Sequence, residues 1–379
     1  MNIKEKALEL HKKSKGKFEI KSKVKIKNKK NLALAYSPGV AEPCLKILHD
    51  KNKSYEYTTR GNLIAIITDG SAVLGMGNIG ALPAMPVMEG KAILFKQFAN
   101  IDAIPICLNT NNTEEIIQTI KNLEPSFGGI NLEDISAPRC FEIEERLKKE
   151  LEIPVFHDDQ HGTAIAVLAG LINSLKITKK KPTEIKVVVN GAGAAGVAIT
   201  KLLLGYGIKD IIVCDSKGII HKKRELNNSK KELADITNKK NQTGDLKKAL
   251  KDSDVFIGVS VGNILNNEMI KSMKKNSIVF ALANPIPEVT PEFAKKNGVK
   301  IIATGRSDYP NQINNVLVFP GIFRGLLDYK IKYVNDKIKI TVAKAIAKSV
   351  RKPNKNKIIP DVFNKKVINN IKKAMKKFS

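Results

Sequence analysis

Tryptophan is absent from this 379-residue chain, aromatic residues make up 5%, and cysteine occurs four times. Cys44, Cys107, Cys140 and Cys214 show no paired spacing, which argues against a thiolate metal site or a disulfide framework. Three of them sit beside apolar residues, so buried free thiols are expected. No apolar run reaches the roughly 18 to 20 residues a membrane span needs, and the lysine-rich amino terminus lacks a signal peptide's apolar segment. A soluble, cytoplasmic protein with no membrane contact is the expectation. Arginine is scarce too, confined to Arg60, Arg139, Arg146, Arg224, Arg306, Arg324 and Arg351. Lysine therefore carries most of the formal net charge of +28. Basic surfaces attract phosphate backbones, yet single-strand recognition uses aromatic platforms and arginine stacking. Here the lysines are spread over 12–30, 179–181, 222–240 and the tail, which reads as solvated faces, and no nucleic-acid partner is expected.

What is present is apolar patterning on a scale that exceeds one hydrophobic core. A 42% hydrophobic content over 379 residues leads to an expectation of two domains. Short β-branched runs alternate with amphipathic stretches: Leu63 to Thr68, Ala103 to Leu108, Gly129 to Leu132 and Ile153 to Phe156 read as strands. After an apolar helix, His161 to Leu175, a second series follows at Lys186 to Val189, Asp210 to Cys214, Asp254 to Val259, Ser277 to Ala281 and Lys300 to Ala303. The alternation signals an α/β fold, with a boundary near residue 160 dividing 1–160 from 161–379. Segment 222–241 reads as an exposed loop with a short helix. The tail 362–379, apolar at Val367, Ile368, Ile371 and Met375, reads as a helix packing one face inward.

The first of the later strands runs straight into Gly191-Ala192-Gly193-Ala194-Ala195-Gly196, followed by a helical pattern. This is Gly-x-Gly-x-x-Gly between strand and helix, the context in which it binds dinucleotides. Gly191 permits the tight turn, Gly193 lets the backbone approach a pyrophosphate, and Gly196 allows close helix packing. Asp215 ends the next strand at the spacing expected of a ribose-binding acid, which favours NAD. Lys217, Lys222, Lys223 and Arg224 could instead hold the 2′-phosphate of NADP, so NAD is expected with NADP as the alternative.

In the first half, Glu133-Asp134 and Asp158-Asp159 each follow a strand. Oxygen donors converging at strand ends suit a hard cation such as Mg2+ or Mn2+, although any one aspartate before a helix is as readily a cap. Tyr36-Ser37-Pro38-Gly39-Val40-Ala41, Thr68 to Gly75, Met88-Glu89-Gly90-Lys91, Asn131 to Asp134 and His157 to Thr163 resemble, in order and spacing, the motifs of malic enzymes of the short bacterial type. That type lacks the phosphotransacetylase-like domain of longer members. The resemblance continues through the glycine loop to Ala283-Asn284-Pro285 and Asn314 to Gly321.

The resemblance implies an N-terminal α/β malic domain and a C-terminal Rossmann-type doubly wound parallel sheet. It implies oxidative decarboxylation of (S)-malate to pyruvate and carbon dioxide, dependent on a divalent metal and NAD(P), in a homodimer or higher homo-oligomer. By the same resemblance Glu133, Asp134 and Asp159 are metal ligands, Lys91 the general base and Tyr36 the general acid. Asn284 and Asn315 contact substrate or nicotinamide. Lys91, between Met88 and Ala92 and near Glu89, is expected on the inward face of a helix, its pKa lowered by burial and the cation, with Tyr36 nearby. Ser71-Ala72 stand where larger animal-type enzymes carry a substrate-binding arginine. Two other readings remain open: a metal-assisted 2-hydroxyacid dehydrogenase that stops at the keto acid, and a basic nucleotide-sensing protein without catalysis.

Overall fold

Strands that are apolar on both faces, such as Ile64 to Ile67 and Val187 to Val189, belong in parallel sheets covered by helices on each side. In the computed structural model, which describes residues 2–73 and 75–379, that is the arrangement. The first sheet contains β1 (Leu63–Thr68), β2 (Asp102–Cys107), β3 (Gly129–Leu132) and β4 (Val155–His157) in the order β2-β1-β3-β4, all parallel. The second contains β5 (Lys186–Asn190), β6 (Asp210–Asp215), β7 (Gly218–Ile219), β8 (Val255–Gly258), β9 (Ile278–Ala281) and β10 (Ile301–Thr304). Its order is β10-β9-β8-β5-β6-β7, antiparallel only at β7. The expected α/β architecture with parallel sheets is thus present. Leu74, inside the Thr68 to Gly75 run, lies outside the described residues.

Each sheet steps to one side of its first strand and then returns to the other, from β2 to β3 and from β7 to β8. Such reversals open a crevice at the carboxyl ends of the strands, where open α/β sheets bind ligands. The two sheets are joined by the helix Asp158–Thr178, which is apolar nearly all round and buried along most of its length. Asn173 in that helix ties it to the C-terminal region, donating to the Ala347 and Ile358 carbonyls at 2.9 and 2.8 Å. Farther on, the helix Phe319–Tyr329 returns to the first sheet, packing Phe319 tilted and Phe323 edge-on against Phe95, with ring centroids 4.6 and 5.3 Å apart. Gly321 and Gly325, one turn apart, admit the tail helix Lys366–Met375; a Cβ at either would meet Ile371 or Met375. Val367, Ile371 and Met375 are buried, as the tail's periodicity predicts.

Two expectations change. Cys140 and Cys214 are buried, but Cys107 is half-buried and Cys44 exposed. Cys44 lies on the helix Ala41–His49, which, like the helices Ile3–Ser14 and Lys29–Ala35, contains no buried residue. Segment 222–241 is more than a surface loop, since its helix Asn228–Ile236 buries Leu233 and Ala234, and the Asn238 amide donates to the Ile211 carbonyl at 2.9 Å. Among the described residues no helix is long and apolar enough to cross a membrane.

Candidate active site

Lys91 lies in the helix Ala81–Ala99, where burial of Met88, Lys91, Ala92 and Phe95 follows the helical period and turns one face to the core. Its side chain is 7% exposed. The ammonium donates to Asp158 Oδ2 at 2.5 Å, pairs with Glu133 Oε1 at 2.7 Å, and rests 4.1 Å from the centroid of the Phe319 ring. Burial alone would lower its pKa, but Asp158 and Glu133 outweigh burial and hold the ammonium above its ordinary value. This reverses the expected direction, because the partners are two buried carboxylates. Glu89 turns away and accepts from the Lys17 amide instead.

The carboxylates come from the carboxyl ends of β3 and β4. Glu133 is fixed by its amide, which donates to the Ile67 carbonyl of β1 at 2.9 Å, and its carboxylate accepts from Asn131 Nδ2 at 2.9 Å. Asp134 adopts a left-handed backbone, φ +52°, and its amide donates to Asp159 Oδ2 at 2.8 Å. One oxygen from each of Glu133, Asp134 and Asp159 lies within 4.8 Å of the others. Burial pushes Glu133 and Asp158 up to about 7 against the pull of Lys91. Burial, then the Asp159 charge, pushes Asp134 up to about 9, while Asp159 itself rises to about 6. Asp134 Oδ2 and Asp158 Oδ1 are buried without a hydrogen-bond partner. Crowded, partnerless carboxylate oxygens fit a hard divalent cation, which would meet both their charge and their missing bonds.

Asp158, counted in the sequence among the acids at the strand ends but given no role of its own, is the partner of Lys91. It stands 0% exposed at the start of the long helix, and a Cβ at Gly162 would fall 1.8 Å from its Oδ1. A glycine four residues after a tandem of acids was the available signal. Asp69 and Arg139 were overlooked: they pair at 2.8 Å, and Asp69 Oδ1 accepts from the Ser71 amide at 3.0 Å. The Ser71–Ala72 loop is thereby braced on the metal-site loop, with the Ala72 amide donating to the Asp134 carbonyl at 2.9 Å and the Ser136 amide to Ser71 Oγ at 2.9 Å.

Asn315 reaches the site from the later part of the chain, its Cβ 3.2 Å from where a Gly162 Cβ would stand. Asn284 is half-buried after β9, and its carbonyl faces Gly75 of the first unit at 3.4 Å from a Cβ built there. Tyr36 is not brought in: it is 68% exposed, and among the described residues no hydrogen bond joins its hydroxyl to Lys91 or the carboxylates. The helices flanking it bury nothing within this chain, so nothing holds Tyr36 against the core.

The glycine loop leaves β5 as expected. Gly191 has φ +117°, and its amide donates to the Cys214 carbonyl at 2.9 Å. A Cβ at Gly196 would lie 1.7 Å from the Gly191 carbonyl oxygen, whereas one at Gly193 would meet nothing within 4 Å. The loop is closed on the sheet side and open at Gly193, as a backbone cradle for a pyrophosphate requires; Ala192, Ala194 and Ala195 complete it. Asp215 stands beside this loop, but its carboxylate already pairs with Arg224 and Lys230.

Two family models match the chain: malic enzyme, N-terminal domain, over residues 15–148, and malic enzyme, NAD binding domain, over 160–375. The chain is 56% identical over its whole length to a bifunctional malic/malolactic enzyme of Bacillus subtilis, covering 93% of that protein. It is 50% identical, over 88% of its length, to an NADP-dependent malic enzyme of Haemophilus influenzae, of which it covers 44%. The crystal structure of an NAD-dependent malic enzyme from Thermotoga maritima superposes with a TM-score of 0.95 at 50% identity, over 98% of both chains.

Proposed function

The chain belongs to the malic enzyme family, and from that premise we propose that it oxidatively decarboxylates (S)-malate to pyruvate and carbon dioxide, reducing NAD or NADP. The observation that carries the reading is the group of buried Lys91, Asp158, Glu133 and Asp134 and half-buried Asp159 at the mouth of the first sheet, with Asn315 brought beside it. We assign Glu133, Asp134 and Asp159 as holding Mg2+ or Mn2+, which supplies a Lewis acid there. The nicotinamide cofactor, cradled by Gly191 to Gly196, supplies the hydride acceptor.

Lys91 takes the proton from the C2 hydroxyl as hydride leaves C2. An ammonium has no lone pair, so base action requires Asp158, 2.5 Å away, to hold the proton that Lys91 sheds. The C3–C4 bond then breaks, carbon dioxide departs, and the enolate of pyruvate takes a proton on C3. Tyr36 is the assigned donor, with Asn284 and Asn315 orienting substrate and nicotinamide. Phe319 beneath Lys91 excludes water from the proton-transfer side.

Protonation by Tyr36 requires that its arm be covered. Leu8, Leu34, Leu45 and Leu48 on the same helices are 74%, 68%, 49% and 76% exposed, a density of apolar side chains that supports a second copy of this chain as the cover. A homodimer or an assembly of dimers in the cytoplasm is the corresponding proposal. The test combines malate, Mn2+ and either cofactor, following reduced nicotinamide by absorbance and assaying pyruvate, lactate and oxaloacetate, with a chelator as control. Metal-dependent cofactor reduction with pyruvate is the expected result. Oxaloacetate alone would establish a simple dehydrogenase, and no turnover would defeat the assignment.

A further inference from the structure

A carboxylate stands in the apolar stripe of the helix Arg139–Glu150. Cys140, Ile143, Glu144 and Leu147 recur at helical spacing and are all buried, with Glu144 4% exposed at a position where an aliphatic side chain would ordinarily pack. A buried charge is tolerated only when it is paired and hydrogen-bonded, and this one is. Glu144 Oε1 accepts from the His157 amide at 3.0 Å and pairs with Lys148 Nζ at 2.6 Å. Its Oε2 accepts from His161 Nε2 at 2.8 Å and from Gln160 Nε2 at 3.3 Å. A carboxylate only accepts, so His161 carries a proton on Nε2, and these contacts use the carboxylate's roughly four lone-pair sites.

All the donors but Lys148 belong to one place. His157 ends β4, and Gln160 and His161 follow it by three and four residues, so together they form one face of the first turn of the helix Asp158–Thr178. Asp158 and Asp159 lie between them in sequence and are turned off that face. The orphan amides at a helix start usually take a cap from the chain just before it, but among the described residues the His157 side chain makes no capping bond. An aspartate of the first turn that folded back to serve as cap would be lost to Lys91 or to the metal group. Glu144 supplies the anion from a neighbouring helix instead. Asp158 Oδ2 is thereby left for Lys91, and Asp159 Oδ2 for the Asp134 amide. The helix that carries Glu144 is also the crossover between β3, which delivers Glu133 and Asp134, and β4, which delivers Asp158 and Asp159.

We propose that Glu144 is a positioning residue for the reaction: it grips the first turn of the Asp158 helix from behind, and so presents Asp159 to the metal and Asp158 to Lys91. The inference rests on the malic enzyme reading for the roles of those two aspartates. The action is mechanical and requires no proton to move at Glu144. The His157 ring stands 3.8 Å from Asp159 Oδ2, so a shift of the turn that releases the His157 amide is passed on to a metal ligand. Misplacing a reacting group by about an ångström costs on the order of a hundredfold in rate. A residue that touches neither substrate nor metal therefore sets both metal affinity and turnover, as outer partners of metal sites do.

The test is Mn2+ binding to the full-length protein without malate, read from the electron paramagnetic resonance of the free ion, with kcat at saturating Mn2+ as a second readout and circular dichroism to establish folding. Glu144→Gln keeps the size of the side chain but turns one acceptor into a donor that faces other donors. It should weaken Mn2+ binding about tenfold or more and lower kcat by a similar factor. His161→Leu, which deletes one donor, should weaken binding in the same direction by less, and His161→Gln, which returns an N–H at similar reach, should recover most of the loss. If Glu144→Gln does not fold, the His161 pair decides the matter. Mn2+ affinity and kcat within about twofold of wild type in folded Glu144→Gln, even with lowered stability, would reduce Glu144 to a structural ion pair and overturn the proposal while the enzyme assignment stands. Without a folded Glu144→Gln, equal affinities in His161→Leu and wild type would do the same. Failure of the wild-type chain to bind Mn2+ would overturn both.

Discussion

Two groups of buried acids in this chain have opposite charge balances. At the mouth of the first sheet, Glu133, Asp134, Asp158 and Asp159 share the ammonium of Lys91, and each carboxyl is pushed above its ordinary value, with burial the leading cause. In the second sheet the ratio is inverted. Asp254 takes Lys180 at 2.8 Å, Lys274 at 3.1 Å and the Lys186 amide at 2.9 Å, while Asp215 takes Arg224 and Lys230. Both stay below the usual carboxylate range, because those partners outweigh burial. Surplus negative charge calls for a cation the chain does not supply; acids with surplus partners are structural, or part of a site for an anion.

The comparison is broken most severely at Lys91. Replacing it with Met keeps the apolar stem against Phe319 but removes both the proton acceptor and, among the described residues, the only ammonium bonded to Asp158. Loss of one positioned general base is expected to lower kcat by about a thousandfold. Steady-state turnover in the presence of saturating Mn2+ checks this, with circular dichroism to establish folding. A loss of less than tenfold would remove Lys91 from the chemistry.

On the other side of the comparison, Asp254→Ala should leave the chemistry alone and act on stability. It leaves the Lys186 amide at the head of β5 without its partner and takes the counter-charge from Lys180, whose side chain is 16% exposed and keeps only its bond to the Lys275 carbonyl among the described residues. Breaking such a buried, hydrogen-bonded pair costs about 3 kcal/mol. Urea unfolding measures it; a change below about 1 kcal/mol, the surface-pair range, would show that this acid is not structural.

Much of the fold and part of the site were legible in the sequence, and the division follows range. Strands, the glycine loop and the inward face of the Lys91 helix are written in neighbours two to four residues apart, and the chain adopts them. Which cation captures which acid is decided by tertiary packing. Nothing near Asp215 in sequence shows that Arg224 and Lys230 converge on it, nor near Lys91 that its partner is Asp158, 67 residues on. The exposure of Tyr36 was hidden for a related reason, since an apolar pattern does not reveal whether its cover belongs to the same chain.

Metal addition sharpens the comparison with a somewhat smaller effect. Mn2+ at about one hundred times its dissociation constant should stabilise the protein by about 2.7 kcal/mol through mass action alone. Thermal unfolding with and without chelator reads this shift. In Asp134→Asn the shift should shrink, whereas in Asp254→Ala it should keep its full size on a lower baseline. Equal shifts in wild type and Asp134→Asn would place the ion elsewhere.

The smallest effect is the most diagnostic, because its sign differs between the two groups. Asp134 has a raised pKa, so its burial is harmless while the carboxyl is protonated. The metal-free fold then loses stability as pH rises from the ordinary value near 3.8 towards about 9. Asp254 has a lowered pKa, so its contribution is present above the ordinary carboxylate value and disappears only as pH falls through the folded one. Metal-free Asp134→Asn should therefore be more stable than wild type near neutral pH, by about 1 kcal/mol once solvent relaxation is allowed for, and the gain should vanish in acid. Chelated samples unfolded in urea across that pH range separate the cases. A gain that survives in acid would trace to packing, whereas one that fades with protonation ties the destabilisation to the same crowded charge that holds the cation.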